Sequence, residues 1–368
     1  MSEPLVTGSH ARLRIWLALG YALFIIYSSL SPFSGWREQG LNFVEMLQVP
    51  LRLTYTTFDA TLNFLSYLPL GLLVALALRA RTGAALSIVI GTATGLLLSA
   101  SMEYLQMYLP TRFSSNTDIL SNSCGMFTGT LVAAGLASHP LVIERLELWR
   151  IKLFFQGKDM DFGLALLTLW IFGQLNPSLP LLGNVFISEV ARQPFVTIPS
   201  LPFDGWESIA VTLNLLMLST LLLTVLRKPR HVIASVLMVL SLVILVKFVS
   251  AAILLRSWAL LVWINSEAIL GMLLGIALMI GQLKLSRTAA IRAGTFITLG
   301  YLLIINFVFD GNAPSAAMSV YHWHYGHLLT YNGLAQTILL VFPVLLLFHL
   351  WRVRHTYNFN RVPTSRSR

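Results

Sequence analysis

Long apolar stretches separated by short polar links restrict the fold of this chain more than any other feature of its sequence. A helix needs about 20 mostly apolar residues to cross the hydrocarbon core of a bilayer, and the chain contains roughly ten such stretches. Of its 368 residues, 56% are hydrophobic and only 11% are charged. Soluble domains carry about 25% charged residues. The pattern therefore predicts an all-α, polytopic membrane protein with about ten transmembrane helices.

The ends of the apolar stretches give the expected limits of the spans. We expect helices at 13–30, 58–78, 83–107, 118–137, 161–179, 207–226, 231–255, 258–282, 291–309 and 331–352. The first stretch follows Arg12 and Arg14, and we interpret it as a retained helix rather than a cleaved signal peptide.

Basic side chains are divided unequally between alternate links. One side of the membrane receives the clusters at 145–158, 227–230 and 284–292, together with the tail from Arg352. The other side receives only Arg37, Arg52, Arg112, Arg192 and Arg256. Because cytoplasmic links are enriched in Lys and Arg, the rich side is predicted to be cytoplasmic, with both termini on it. This asymmetry accounts for the net charge of +10 without a nucleic-acid partner.

Three short matches, roughly 150 residues apart, indicate an internal repeat. They pair Leu30-Ser31-Pro32 with Leu175-Asn176-Pro177, Thr61-Leu62-Asn63 with Thr212-Leu213-Asn214, and Gly125-Met126 and Gly129 with Gly271-Met272 and Gly275. Both copies would begin on the cytoplasmic side, as in parallel repeats. The predicted organisation is a four-helix unit at 1–150, a second, degenerate four-helix unit at 151–285, and two C-terminal helices with a basic cytoplasmic tail at 286–368.

Polar side chains of the first unit gather at one predicted depth, near the outer interface. Helical spacings of three or four residues place them on one face of each helix. They are Asp59 and Asn63 in the second helix, Glu103 and Gln106 in the third, Asp118 and Asn122 in the fourth, and Arg112 in the link between the last two. A charge near the bilayer centre costs about 2.5–3.5 kcal/mol, so such residues are expected to face one another.

These seven residues form the candidate site. Crowded carboxylates can share a proton, which would leave a proton donor beside an ionised base. The catalytic candidates are therefore Glu103, Asp118 and Asp59. Arg112, whose planar fork suits a phosphate or a carboxylate, is a candidate for binding the substrate. The other candidates for binding are Asn63, Gln106 and Asn122.

A structural alternative exists for part of this set. Asp59 and Asp118 are also suited to cap the first turns of their helices, and Arg112 is suited to pair with Glu103. Capping does not, on the sequence alone, account for Glu103, Gln106 and Asn122.

The second unit lacks the corresponding polar set, since the position of Glu103 becomes Val249 and that of Arg112 becomes Trp258. It has other polar residues instead, among them Lys247 and Glu267. Lys247 is expected to face Glu267, either as a structural pair or as part of a substrate pathway.

The last outer link combines histidines with aromatic residues. His322, His324 and His327 follow Asp310. Three histidines within six residues can bind a metal, but Trp and Tyr between them are typical of an interfacial aromatic belt. We favour the belt and predict no metal site. No nucleotide-binding loop, Rossmann fingerprint or Ser-His-Asp set is present, so no cofactor is expected.

The polar pattern of helices 2 to 4 resembles the VanZ-like family. It comprises Asp59, Asn63, Pro69 and Gly71, then Glu103, Gln106, Pro110 and Arg112, and finally Asp118, Asn122, Gly125 and Gly129. The resemblance covers about a fifth of the chain. It implies a multi-pass protein of the bacterial cytoplasmic membrane, and a connection with resistance to the glycopeptide teicoplanin, which acts on cell-wall precursors outside the cell.

These observations suggest a cell-envelope protein whose outer-leaflet polar site binds or modifies an amphiphilic molecule, such as a lipid-linked precursor. The expected partners are membrane lipids or that precursor. Two alternatives are open: a transporter of an amphiphilic or anionic solute, and a non-catalytic protein that organises the envelope.

Overall fold

The computed structural model consists of helices and their connecting links in the part of the chain that it describes, with no β-strand there. Those residues are 7–31, 33–51, 57–184, 203–309 and 326–359. The helices are α1 (Thr7–Leu30), α2 (Phe43–Gln48), α3 (Thr57–Gln106), α4 (Asn116–Ala137), α5 (Pro140–Leu153), α6 (Lys158–Gln174), α7 (Gly205–Val225), α8 (His231–Leu254), α9 (Ser266–Leu283), α10 (Arg287–Phe307) and α11 (Gly326–Phe359).

Within those ranges, nine helical segments are long and apolar enough to cross a membrane. Many of their large apolar side chains are exposed, such as Leu97 and Leu245, as expected where lipid is the solvent. The predicted all-α, polytopic membrane fold is confirmed. One predicted span, 161–179, is not among these nine segments. It corresponds to α6, which has only 17 residues. The predicted helix at 258–282 begins late, because its N-cap is Asn265.

The contacts divide the chain into two units, 1–152 and 153–368. α10 packs on α7, and α11 packs on α6, so both belong to the second unit. The sequence repeat sets 286–368 apart, whereas the structure includes this segment in the second unit. The short helix α2 and the helix α5 were not anticipated from the sequence.

In the first unit, α3 contains two antiparallel spans. Gly83 interrupts it with a φ of 79°, a left-handed conformation that glycine adopts at little cost. A Cβ on Gly91 would lie 3.8 Å from the Val74 side chain. Residues 17 apart in a straight helix are about 25 Å apart, so the chain folds back at Gly83.

Glycines bring α4 against the first half of α3 (57–82). A Cβ on Gly125 would overlap the carbonyl group of Phe64, and one on Gly129 would overlap that of Leu68. Small residues at such positions let membrane helices approach closely. This contact fixes the depth of α4 relative to α3, and so aligns the polar residues at their ends.

The second unit uses glycines in the same way on α9. A Cβ on Gly271 would overlap the carbonyl oxygen of Ser208, and one on Gly275 would overlap the side chain of Leu215. These contacts place Ser208 opposite Gly271 as Phe64 is opposite Gly125. The glycine contacts therefore pair Phe64 with Ser208, 144 residues later. The sequence match pairs Asn63 with Asn214, 151 residues later, so the two pairings disagree. The repeat as a whole stays a prediction.

α7 is the central helix of the second unit. Most residues of its span are buried, and it contacts α6, α8, α9, α10 and α11. Buried polar side chains on α7 bond to its neighbours: Asn214 accepts a bond from the Trp170 indole at 2.8 Å, and Thr220 accepts one from Gln282 at 2.7 Å. Such bonds hold membrane helices together where the hydrophobic effect does not.

Candidate functional site

Arg112 lies in the link between α3 and α4, against the C-terminal end of α1. Its guanidinium donates to the carbonyl oxygens of Ser28 at 3.0 Å and Ser31 at 2.8 Å. Gln106 donates to the adjacent carbonyl of Ser29 at 2.9 Å. The last carbonyls of a helix lack partners within it, so both side chains cap α1. We call this side of the first unit the Arg112 end.

Burial lowers the pKa of the Arg112 guanidinium from its ordinary value. Arginine nevertheless keeps its charge in proteins. A cation at the C-terminal end of a helix is favoured by the helix dipole. The contacts of Arg112 are therefore those of a helix cap, rather than of a salt bridge to Glu103.

Glu103, near the end of α3, connects this helix to the start of α4. Its Oε2 accepts a hydrogen bond from the backbone N–H of Ser115 at 2.8 Å. Ser115 is the N-cap of α4, and its hydroxyl accepts from the N–H of Thr117 at 3.1 Å. Glu103 is only 3% exposed. The expectation that capping does not account for Glu103 and Gln106 is thus wrong, because each bonds a helix end.

Asp118, in the first turn of α4, faces the beginning of α3. Its carboxylate interacts with the side chain of Asn63 and lies within electrostatic range of Asp59. Glu103 in turn lies within electrostatic range of Asp118. The three acids from three spans are therefore neighbours, and Ser115, not Asp118, is the N-cap of α4.

A buried polar cluster lies one turn deeper than Glu103. The amide of Asn122 donates to the Ser99 hydroxyl at 2.9 Å. Tyr67 lies near Ser99 and Glu103, although its hydroxyl does not reach the geometry of a full hydrogen bond. Two buried atoms, Tyr67 Oη and Asn122 Oδ1, have no hydrogen-bond partner. Buried polar groups are nearly always paired, so these two call for an explanation.

The structure thus divides the seven candidate residues into two groups. Arg112 and Gln106 contact the end of α1, whereas the other five, Asp59, Asn63, Glu103, Asp118 and Asn122, lie where α3 and α4 meet. Sequence reasoning missed Tyr67. Its position four residues after Asn63 and eight after Asp59 placed it on the same helical face, which was the available signal.

A short segment covers the Arg112 end. Asn116 donates to the carbonyl oxygen of Val49 at 2.6 Å, and Gln39 donates to that of Met107 at 2.7 Å. Between these attachments, α2 exposes Val44 and Leu47. Apolar side chains on a short helix at the end of a bundle are suited to the membrane interface.

Comparison with models of known protein families gives a match to the first unit. Residues 10–137 match the model of the VanZ/LLP1 family. The resemblance predicted from the polar pattern is confirmed. The VanZ-like segment ends with α4, and it contains every candidate site residue. Neither curated proteins nor solved structures give a match.

The second unit lies outside the VanZ-like match and contains a buried lysine, Lys247. The prediction that Lys247 faces Glu267 is wrong. Lys247 is fully buried, and its ammonium donates to the carbonyl oxygens of Gln174 at 3.1 Å and Asn176 at 2.8 Å. Glu267 instead accepts from the backbone N–H of Asp204 at 3.3 Å. Lys247 thus caps α6, since the free carbonyls of a helix end offer a cation several acceptors.

The prediction for the histidine-rich link concerns residues that the structure does not describe. Asp310, His322 and His324 lie outside the described ranges, and the side chain of His327 is not described. In the part of the chain that the structure describes, no three His, Cys, Asp or Glu side chains are grouped to hold a metal ion.

Proposed function

We propose that the polar cluster at the Arg112 end of the VanZ-like unit binds the head group of an amphiphilic envelope molecule, such as a lipid-linked precursor. The bilayer would be the bacterial cytoplasmic membrane, with both termini inside and the Arg112 end at the outer leaflet. The observation that carries the proposal is the pair of buried atoms without partners, Tyr67 Oη and Asn122 Oδ1, beside three neighbouring carboxylates.

The helix-end contacts support this proposal by making the site rigid. Arg112 fixes α1 to the link, and Glu103 fixes the end of α3 to the start of α4. A binding site whose supporting residues are held in place loses less entropy when the ligand arrives. In a reaction, Glu103 or Asp118 would accept the proton; in simple binding, both would accept hydrogen bonds.

Charge removal without loss of shape tests the proposal. Glu103→Gln keeps an oxygen for the Ser115 N–H, and Asp118→Asn keeps one for Asn63, while each removes a charge. The family connection suggests teicoplanin susceptibility of an expressing strain as the phenotype. We expect both variants to accumulate like the wild type and to lose its effect on susceptibility.

Glu38→Gln is the matched control, because Glu38 is an exposed acid of the first unit. It should keep the wild-type effect. Full activity in both site variants would overturn the proposal, and lower protein levels in both would indicate a purely structural role.

Transport remains the alternative. The cavity lined by Trp170, Gln174, Asn214 and Tyr301 in the second unit has a volume of about 10 Å³, which admits one water molecule. An amphiphile cannot enter it. Flux of a candidate solute in proteoliposomes, retained in Asp118→Asn but lost in a second-unit variant such as Asn214→Leu, would favour transport over binding at the VanZ-like site.

A further inference from the structure

We propose that this site selects an ammonium-bearing head group over a phosphate or a carboxylate. The inference rests on the proposed function and adds the charge of the ligand. It reverses the expectation drawn from the sequence, in which Arg112 holds an anion.

The first argument is the charge balance of the site. The carboxyl group of Asp118 lies within electrostatic range of both Asp59 and Glu103. Arg112 is the cation that the sequence assigned to this group, but its guanidinium is bonded to the carbonyls of Ser28 and Ser31. An anionic head group would have to displace these bonds and approach like charges. An ammonium would relieve the repulsion.

The second argument is the balance of donors and acceptors. Asn122 Oδ1 is an acceptor without a donor, and the hydroxyl of Tyr67 can accept as well as donate. The carboxylate of Asp118 has further lone pairs beyond its contact with Asn63. An ammonium brings three donors and no acceptor, whereas a phosphate brings mainly acceptors. The site therefore complements an ammonium.

The third argument is burial. Tyr67 is 2% exposed and Asn122 is 5% exposed, so bulk water does not compensate for the missing partners. A buried polar atom without a partner costs roughly 1–3 kcal/mol. Both side chains lie beside the hydroxyl of Ser99, and one bound donor-rich group would satisfy both atoms.

Native mass spectrometry of the full chain in a neutral maltoside detergent tests this proposal. Micelles are supplemented with either a primary alkylammonium or an alkyl phosphate of the same chain length, and the bound fraction is measured over a concentration series. We expect the wild type to bind the ammonium amphiphile about tenfold more tightly than the phosphate, a ratio that corresponds to ~1.4 kcal/mol. Asp118→Asn should abolish this preference, and Glu38→Gln should retain it.

The Tyr67→Phe variant distinguishes a loss of binding from a loss of folding. It removes a hydroxyl without a partner, so the unfolding temperature without ligand should equal or exceed that of the wild type, while ammonium binding weakens. If the phosphate binds more tightly and Asn122→Ala abolishes its binding, the site is functional but the ammonium inference is wrong. If Asp118→Asn, Tyr67→Phe and Asn122→Ala change the binding of neither amphiphile, both the inference and the proposed function fail.

Discussion

Arg112 donates a 2.8 Å hydrogen bond to the carbonyl oxygen of Ser31, where α1 ends. In the second unit, Lys247 donates one of the same length to the carbonyl oxygen of Asn176, just after α6 ends. In both units a cation from a later segment caps the first long helix, immediately before a proline in the sequence. The two cations do not occupy equivalent positions of the predicted repeat, because Arg112 corresponds to Trp258, but the contacts give both of them a structural role.

Replacing Arg112 with Lys should destabilise the protein. The lysine keeps the charge but loses the planar fork that reaches two carbonyls at once. A buried carbonyl without a partner costs about 1–3 kcal/mol, so we expect a lower unfolding temperature in detergent. Arg37→Lys, at an exposed arginine of the same unit, is the control. Unchanged stability combined with lost activity would instead support the anion-binding role expected from the sequence.

Lys247→Met should destabilise the second unit for the same reason. The methionine fills most of the volume but leaves the carbonyls of Gln174 and Asn176 without their cation. Removal of the buried charge offsets part of this loss, so we expect a net cost of roughly 1–2 kcal/mol, measured by thermal unfolding. Lys284→Met, at an exposed position, should have no effect. Equal stability of the two variants would show that capping by Lys247 is dispensable.

Gly125→Ala should weaken the contact between α3 and α4. The added Cβ would overlap the backbone of Phe64, which cannot move without separating the two helices, and overpacking typically costs about 1–3 kcal/mol. Gly135→Ala on the same helix has nothing within 4 Å of the new Cβ. It should be neutral or stabilising by up to about 1 kcal/mol. The glycine contact would be refuted if the two variants had the same unfolding temperature.

Reporter fusions after residues 150 and 368 should both report a cytoplasmic location. The basis is the asymmetry of Lys and Arg between alternate links. An external signal at either position would contradict the topology and would move the Arg112 end away from the outer leaflet.

The sequence predicted the fold through one strong regularity, the apolar stretches, which need no knowledge of tertiary packing. It failed where a helix end depends on a distant side chain. α6 stops at Gln174 rather than 179, and the carbonyl oxygens of Gln174 and Asn176 bond to Lys247, 71 to 73 residues later. The division of α3 into two spans near Gly83 was anticipated, because Arg79 and Arg81 separate two apolar stretches.

The sequence predicted the location of the candidate site more accurately than it predicted the contacts that its side chains make. Helical spacing and topology place Asp59, Asn63 and Asp118 at one depth without further information. The partner of Arg112 was not predictable, because backbone carbonyls do not appear in a side-chain pattern. Tyr67 was missed because its mostly apolar ring does not stand out from the apolar residues around it inside a membrane span.

The most direct test of the account is an experimental structure of the full chain in a lipid bilayer disc prepared from a native membrane extract. The account predicts density for an amphiphile whose head group lies within hydrogen-bonding distance of Asp118, Asn122 Oδ1 and the Tyr67 hydroxyl, with Arg112 still bonded to Ser31. Density for a head group on Arg112 alone, or a cluster closed over ordered water with no amphiphile, would contradict it.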